Sequence, residues 1–427
     1  MLKYFSLWKE AFPLPKCFSR LSVYLLLLVP LPALAAQMSH EHLAISESLT
    51  FTDVFASALE NSPEYMETPV REDQAESYTD TGKSWIAGRP SLQMNYYDDS
   101  RLDNIGLMEF EYGVQMPLWR PGQRRDTRAL GEGYVTQVEQ WKQLLSWVVA
   151  GRVRNVLAAL AEAELGITLQ NQVVADARRL RDVTLTLFEA GEVARLELMQ
   201  AETLLVESQA DLLQAEAAMV DAERTYEFLT ALTMRPAKAY SEELTSQEEI
   251  ENSHPQLQYL RSSVNLADAN VKQSENTARG NPTITIGSRR ERGDRFQNSI
   301  SSVGIQLSIP FGGASFVSAQ SSSARRAKVD AEVSFQNSFI QLNAALHEVE
   351  HSLFIVAEEE PLRRSQMDLS SQRYNMALTA FELGETTLAE VVIAQQQAQE
   401  SDRTLRLLLL EKQRLITEFN QIIGVLP

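Results

Sequence analysis

Two regions of the chain alternate apolar and polar residues with a period of two. Leu92, Met94 and Tyr96 alternate with Gln93 and Asn95, and Met108, Phe110, Tyr112, Val114, Met116 and Leu118 alternate with Glu109, Glu111, Gly113 and Gln115. Further on, Ile284 and Ile286 are followed by Val303, Ile305, Leu307, Ile309 and Phe311, set against Gly304, Gln306 and Ser308. Alternation of this length predicts strands with one apolar and one polar face. The expectation is two hairpins, at about 90–118 and about 282–311, the first turning through residues 98–106.

After each hairpin the period lengthens to that of a helix, over 123–189 and 314–382, each long enough to span roughly 100 Å. Gly191 and Gly384 break these patterns, and shorter helices return over 195–233 and 387–423. Phe335, Phe339, Leu342, Leu346, Val349, Leu353 and Val356 are spaced as a strict heptad, and Leu145, Val149, Val153, Val156, Leu160, Ala163 and Ile167 nearly so. Such seams predict coiled-coil packing. A helical piece over 51–60 precedes the first hairpin, with Asn61 or Ser62 placed to cap a fresh start at Pro63.

The halves also share local detail. Phe188, Glu189, Ala190, Gly191 and Glu192 return as Phe381, Glu382, Leu383, Gly384 and Glu385, an offset of 193, and Gly113 to Met116 return as Gly304 to Leu307, an offset of 191. Residues 49–240 are read as a first structural repeat and 241–427 as a second, a tandem duplication. Ahead of them, Lys3, Lys9, Lys16 and Arg20 precede an apolar run and the small residues Ala33, Ala35 and Ala36, the order of a secretory signal peptide over 1–36. Residues 37–48 are expected to form an N-terminal extension, with His40, Glu41 and His42 in a disordered terminus. Without residues 1–36 the formal charge moves from −18 to −21, which disfavours nucleic acid as a partner. The single cysteine, Cys17, lies within the signal, so disulfides are excluded. No later segment has eighteen unbroken apolar residues.

Four strands with an apolar face cannot close a membrane barrel, which needs about eight at minimum. Trp85, Tyr96, Tyr97, Tyr112 and Trp119 suit interfacial girdles around such a barrel. The order of short helices, hairpin, very long helix, glycine turn and returning helix, twice over, resembles the TolC-type outer-membrane efflux proteins. The likeness is carried by Asn61, Ser62 and Pro63; by residues 114–118 and 305–311, each with its proline; and by Arg373, Tyr374, Gly384, Glu390, Val391, Ala394 and Gln395. Residues 117–124 look most similar to the heavy-metal (cation) branch. The resemblance implies a mixed fold, mostly α with membrane β-hairpins: a homotrimeric 12-stranded barrel in the outer membrane, continued by a 12-helix coiled-coil tunnel through the periplasm. It further implies a passive exit duct for metal cations or drugs, partnered by outer-membrane lipid, a periplasmic adaptor and an inner-membrane pump. Such a duct has no catalytic residue, cofactor or resident metal.

The candidate residues follow from that reading. Gly191 and Gly384 are expected at the periplasmic tip as the adaptor contact, with Glu189, Glu192, Glu382 and Glu385 as an acidic ring at the entrance. Arg289, Arg290, Arg292 and Arg295 are expected in an outer loop, able to meet lipopolysaccharide phosphates. Two rival readings remain: a periplasmic coiled-coil scaffold, and a zinc peptidase built on His347, Glu348 and His351, which fit H-E-x-x-H on a helix. The heptad turns both histidines away from the seam, and a solvated helix face also accounts for them.

Overall fold

The computed structural model describes residues 42–238 and 240–426. The expected signal peptide, Cys17, His40 and Glu41 lie outside these residues. The chain then runs β1 (Ala44–Ser46), α1 (Phe51–Asn61), a 3-10 turn (Pro63–Met66), α2 (Glu67–Lys83), β2 (Ser91–Asp98), β3 (Met108–Pro117), α3 (Gln123–Ala190) and α4 (Arg195–Thr230). The second half runs β4 (Met234–Pro236), α5 (Pro255–Ala278), β5 (Thr283–Arg292), β6 (Ile300–Ser308), α6 (Ala314–Gln320), α7 (Ser322–Glu382) and α8 (Leu388–Ile423).

Both hairpins form, and they join through β3 and β5 into one antiparallel sheet of order β2-β3-β5-β6. The register shows what the alternation was for. Leu92 pairs with Val114, Val114 with Ile286, and Ile286 with Ile305. Paired residues point to the same face, so one apolar face crosses all four strands. The outer edges of β2 and β6 have no strand partner among the described residues. Strands of eight to ten residues match what a tilted membrane strand needs, about 9–11.

The long helices build the rest. Near the sheet, α2 packs along α3, α3 along α5 and α5 along α7; farther away α4 packs on α3 and α8 on α7. One core gathers Val54, Leu145, Val149, Val153, Leu160 and Tyr226, and a second gathers Leu346, Val349, Val356, Leu415 and Phe419. Both heptad seams thus face inward over most of their length, while Phe339 remains exposed. Among the described residues only α3 is apolar enough to contain an 18-residue window of mean hydropathy 1.4. That helix buries its valines and leucines in the first core, so helix packing accounts for its apolar character.

Four expectations need correction. Residues 42–48 are ordered: Leu43 is buried, and β1 pairs in parallel with β4, Ala44 opposite Met234. The returning helix ends at Thr230, not 233, because Ala231 turns left-handed (φ 55°) and the Tyr226 hydroxyl donates to the Met234 carbonyl, drawing the chain back into β4. The helix expected over 314–382 breaks at Ser321, whose hydroxyl donates to the Val317 carbonyl (2.7 Å) and accepts from Arg325. Arg289, Arg290 and Arg292 lie in β5, not in a loop, because the β3–β5 pairing continues to Met108 and Arg292.

Candidate functional site

The two ends of α3 carry the features of interest. At the far end, α3 stops at Gly191 with φ 80°, and α7 stops one residue before Leu383 and Gly384, φ 75°. The caps are built alike. Gly191 N–H donates to Phe188 O (2.9 Å) and Glu192 N–H to Leu187 O (2.9 Å); Gly384 N–H donates to Phe381 O (3.0 Å) and Glu385 N–H to Ala380 O (2.8 Å). This is the Schellman pattern, which wants glycine at the left-handed position. A Cβ at either glycine would meet nothing within 4 Å.

The two turns lie at one end of the molecule, because both helical hairpins share a core there: Leu180 and Ala201 from the first, Leu378, Phe381, Leu388 and Val391 from the second. Glu189, Glu192, Glu382 and Glu385 are all exposed around the turns. Behind them the seam is polar. Burial pushes the Tyr374 phenol up to about 12 and raises the Asp176 carboxyl. The Tyr374 hydroxyl and both amide atoms of Gln395 are buried without a hydrogen-bond partner among the described residues. Each such group costs about 1–3 kcal/mol.

At the other end, the polar face of the sheet was only partly anticipated. Glu111 stands opposite Arg289, and Glu109 opposite Glu291. The Arg289 guanidinium lies 2.8 Å from Glu109, 3.5 Å from Glu111 and 2.7 Å from Glu291, so three carboxylates share one cation. Toward the helices, Gly113, Gly287 and Gly304 align across three strands and leave one row of that face without side chains. The signal for this row was present in the sequence, as glycine at a polar-face position of three strands. Arg290 and Arg292 take the opposite, apolar face, where Arg292 donates to the Gly106 carbonyl (3.2 Å). Arg295 alone of the four lies in the turn, donating to Asn104. Of the aromatic residues, Tyr96 is on the apolar face, Tyr97 on the polar face and Tyr112 in mid-strand, while Trp119 donates to the Ser84 carbonyl (3.1 Å).

His347 and His351 are exposed on α7, and among the described residues no group of three or more His, Cys, Asp or Glu side chains is placed to hold a metal. At the same sequence offset, Ala158 matches His351, and Arg154, which matches His347, is buried. It donates to Glu242 (2.6 and 3.2 Å) and to Gln421 (2.5 Å), and Glu242 also accepts from Tyr240 (2.6 Å) and Asn420 (2.6 Å). The network ties α3 to the linker before α5 and to the end of α8. A second buried carboxylate, Glu223, accepts from Leu43 N–H (3.1 Å) and Arg235 (2.9 Å) and meets the His42 ring at 3.0 Å. It fixes the chain entering β1.

No protein-family model matches this sequence. No curated protein sequence matches it either. Solved structures do. The outer-membrane channel OprN aligns with a TM-score of 0.68 at 16% identity, over 88% of this chain and 89% of that one. The outer membrane protein VceC of Vibrio cholerae gives 0.68 at 14% identity, over 88% and 96%. The CmeC outer membrane channel of Campylobacter jejuni gives 0.65 at 15% identity, over 88% and 85%. The chain has the fold of these outer-membrane channels.

Proposed function

We propose that the chain is one protomer of a trimeric outer-membrane exit duct, a TolC-type efflux protein with no catalytic residue of its own. The observation that carries this is the four-stranded sheet with one continuous apolar face and two unpaired edges. Unpaired edges in a bilayer are untenable, since each unsatisfied backbone group costs several kcal/mol in hydrocarbon. Three copies would supply 12 strands, above the minimum for closure, with the polar face lining the bore. Four helices per chain at the sheet end would likewise give a 12-helix tunnel. The sequence-level duplication of 49–240 and 241–427 supplies two equivalent hairpins and two equivalent tips. A coiled-coil scaffold would use the helices but would have no need of the sheet.

The glycine turns would then form the periplasmic docking surface for an adaptor, which links the duct to an inner-membrane pump. The exposed acids there, and the excess of carboxylates around Arg289, favour cationic substrates, metal ions or cationic drugs. The test is insertion. Ile305→Arg and Leu307→Arg, on the apolar face of β6, should each cost about 2 to 4 kcal/mol at mid-bilayer. Together they should remove the protein from the outer-membrane fraction and abolish its heat-modifiable oligomer. Normal insertion of the double variant would refute the barrel.

A further inference from the structure

Where the strands give way to helices, the charge of the chain reverses. The segments 83–90, 118–128, 275–282 and 309–326, which connect the sheet to its helices, carry nine Lys and Arg residues against two acids, Asp126 and Glu275. The whole chain carries a formal charge of −18. Part of this collar is structural. Arg120 donates to the Arg279 and Gly280 carbonyls (2.8 Å each) and Arg124 to the Lys83 carbonyl (2.8 Å), as cations at helix C-termini do.

Arg128 likewise donates to the Gly82 carbonyl (3.2 Å) and Arg325 to the Ser318 carbonyl (3.3 Å), whereas Arg279 and Arg326 donate to no carbonyl among the described residues. Arg279 and Arg325 each reach Glu275 only at 3.9 Å, so one carboxylate faces two guanidiniums. Arg120, Arg279 and Arg325 converge on an open cleft of about 490 Å³, bounded by Gly312 and Gly313. Arg326 is exposed and has no hydrogen bond or ion pair among the described residues. The same segments expose large aromatics, Trp85 at 71%, Phe311 at 97% and Phe316 at 76%. Aromatic rings beside unneutralised guanidiniums, at the level where an apolar sheet face ends, have the composition of a headgroup layer contact.

We propose that this collar binds the phosphates of anionic phospholipids in the leaflet facing the helical tunnel, seating the lower rim of the barrel in its headgroup layer. The proposal rests on the membrane reading of the sheet. A cation near an anionic surface is worth roughly fivefold in affinity, so Arg279 and Arg325, which share one distant carboxylate, and Arg326, which has none, should together set most of the preference.

The experiment incubates the full-length, detergent-purified oligomer with equal dioleoyl-phosphatidylglycerol and dioleoyl-phosphatidylcholine and measures the lipid it retains. Wild type should keep phosphatidylglycerol at least about tenfold over phosphatidylcholine, falling toward parity in about 0.5 M NaCl as screening predicts. Arg279→Gln with Arg325→Gln and Arg326→Gln should lose the preference, and the Lys triple should retain it. Equal retention by wild type, a preference insensitive to salt, or a Gln triple that still selects phosphatidylglycerol would each overturn the proposal. The salt and wild-type arms decide even if the Gln triple does not assemble. Inorganic phosphate that abolishes the preference at an ionic strength where NaCl leaves it intact would assign the collar to a free anion and overturn the lipid. A chain that never enters membranes refutes the barrel as well; insertion without lipid preference overturns only the collar.

Discussion

Substituting three glycines separates a folding requirement from the proposed docking role. Gly191, Gly384 and Gly424 all have positive φ, at 80°, 75° and 94°. An L-residue in that region costs about 1–2 kcal/mol, so Gly191→Val with Gly384→Val loses about 2–4 kcal/mol from backbone strain. Nothing lies within 4 Å of the new Cβ at either tip, so no steric term is added. The tip core beneath, with Leu180, Phe381, Leu388 and Val391 buried, gains about 1.5–3 kcal/mol per large side chain and should hold the hairpins closed. At Gly424 the same Cβ would sit 2.8 Å from His254 Cδ2 and 3.1 Å from Pro255 Cδ. The His254 ring is 2% exposed and stacked edge-on against Trp147 at 5.1 Å, so it cannot move aside. Overpacking adds about 1–3 kcal/mol to the strain there. The tip double variant should therefore reach the membrane as oligomer at near wild-type level, yet lose crosslinking to the adaptor and drug or metal resistance. Gly424→Val should instead lower the amount of oligomer on unboiled gels. Intact crosslinking and resistance in the tip variant would remove the docking assignment. Loss of the tip variant's oligomer with normal Gly424→Val oligomer would refute the steric reasoning itself.

Replacing Glu189, Glu192, Glu382 and Glu385 by Gln should lower cation over anion permeability in planar bilayers under a salt gradient; unchanged reversal potentials would remove the acidic entrance. Arg154→Ala strands the Glu242 carboxylate at 11% exposure, and loss of one partner of a buried pair costs about 3–5 kcal/mol, visible as a lower melting temperature. A loss below about 1 kcal/mol would show that the network is not under strain to stay paired. Burial holds His254 down at about 4, against an ordinary 6.5. The unfolded chain therefore binds the proton first as pH falls, so stability is full above pH 6.5 and is lost toward pH 4, by about 3 kcal/mol at most. His254→Asn, which keeps a side-chain helix cap, should flatten that dependence in thermal melts; an unchanged slope would clear His254 of it.

The local parts of this fold were legible in the sequence because they depend on local periodicity and backbone geometry. Period two marked the hairpins, the heptads marked the seams, and the glycine caps marked where α3 and α7 end, with φ positive at both. The sequence also placed His347 and His351 off the packed face, since position on a helix is set by spacing alone. What joins distant segments was not legible. Pairing of β3 with β5 decides that Arg289 faces Glu109 and Glu111 while its neighbour Arg290 faces the other way. Nothing near β1 announces β4, about 190 residues on, and the Arg154 and Glu242 pair spans 88 residues. Arg154 and His347 occupy matching places in the two halves, yet one is buried and the other exposed, because only the first meets the linker before α5 and the end of α8. Burial is a property of what packs against a residue, and for these residues the partners come from far along the chain.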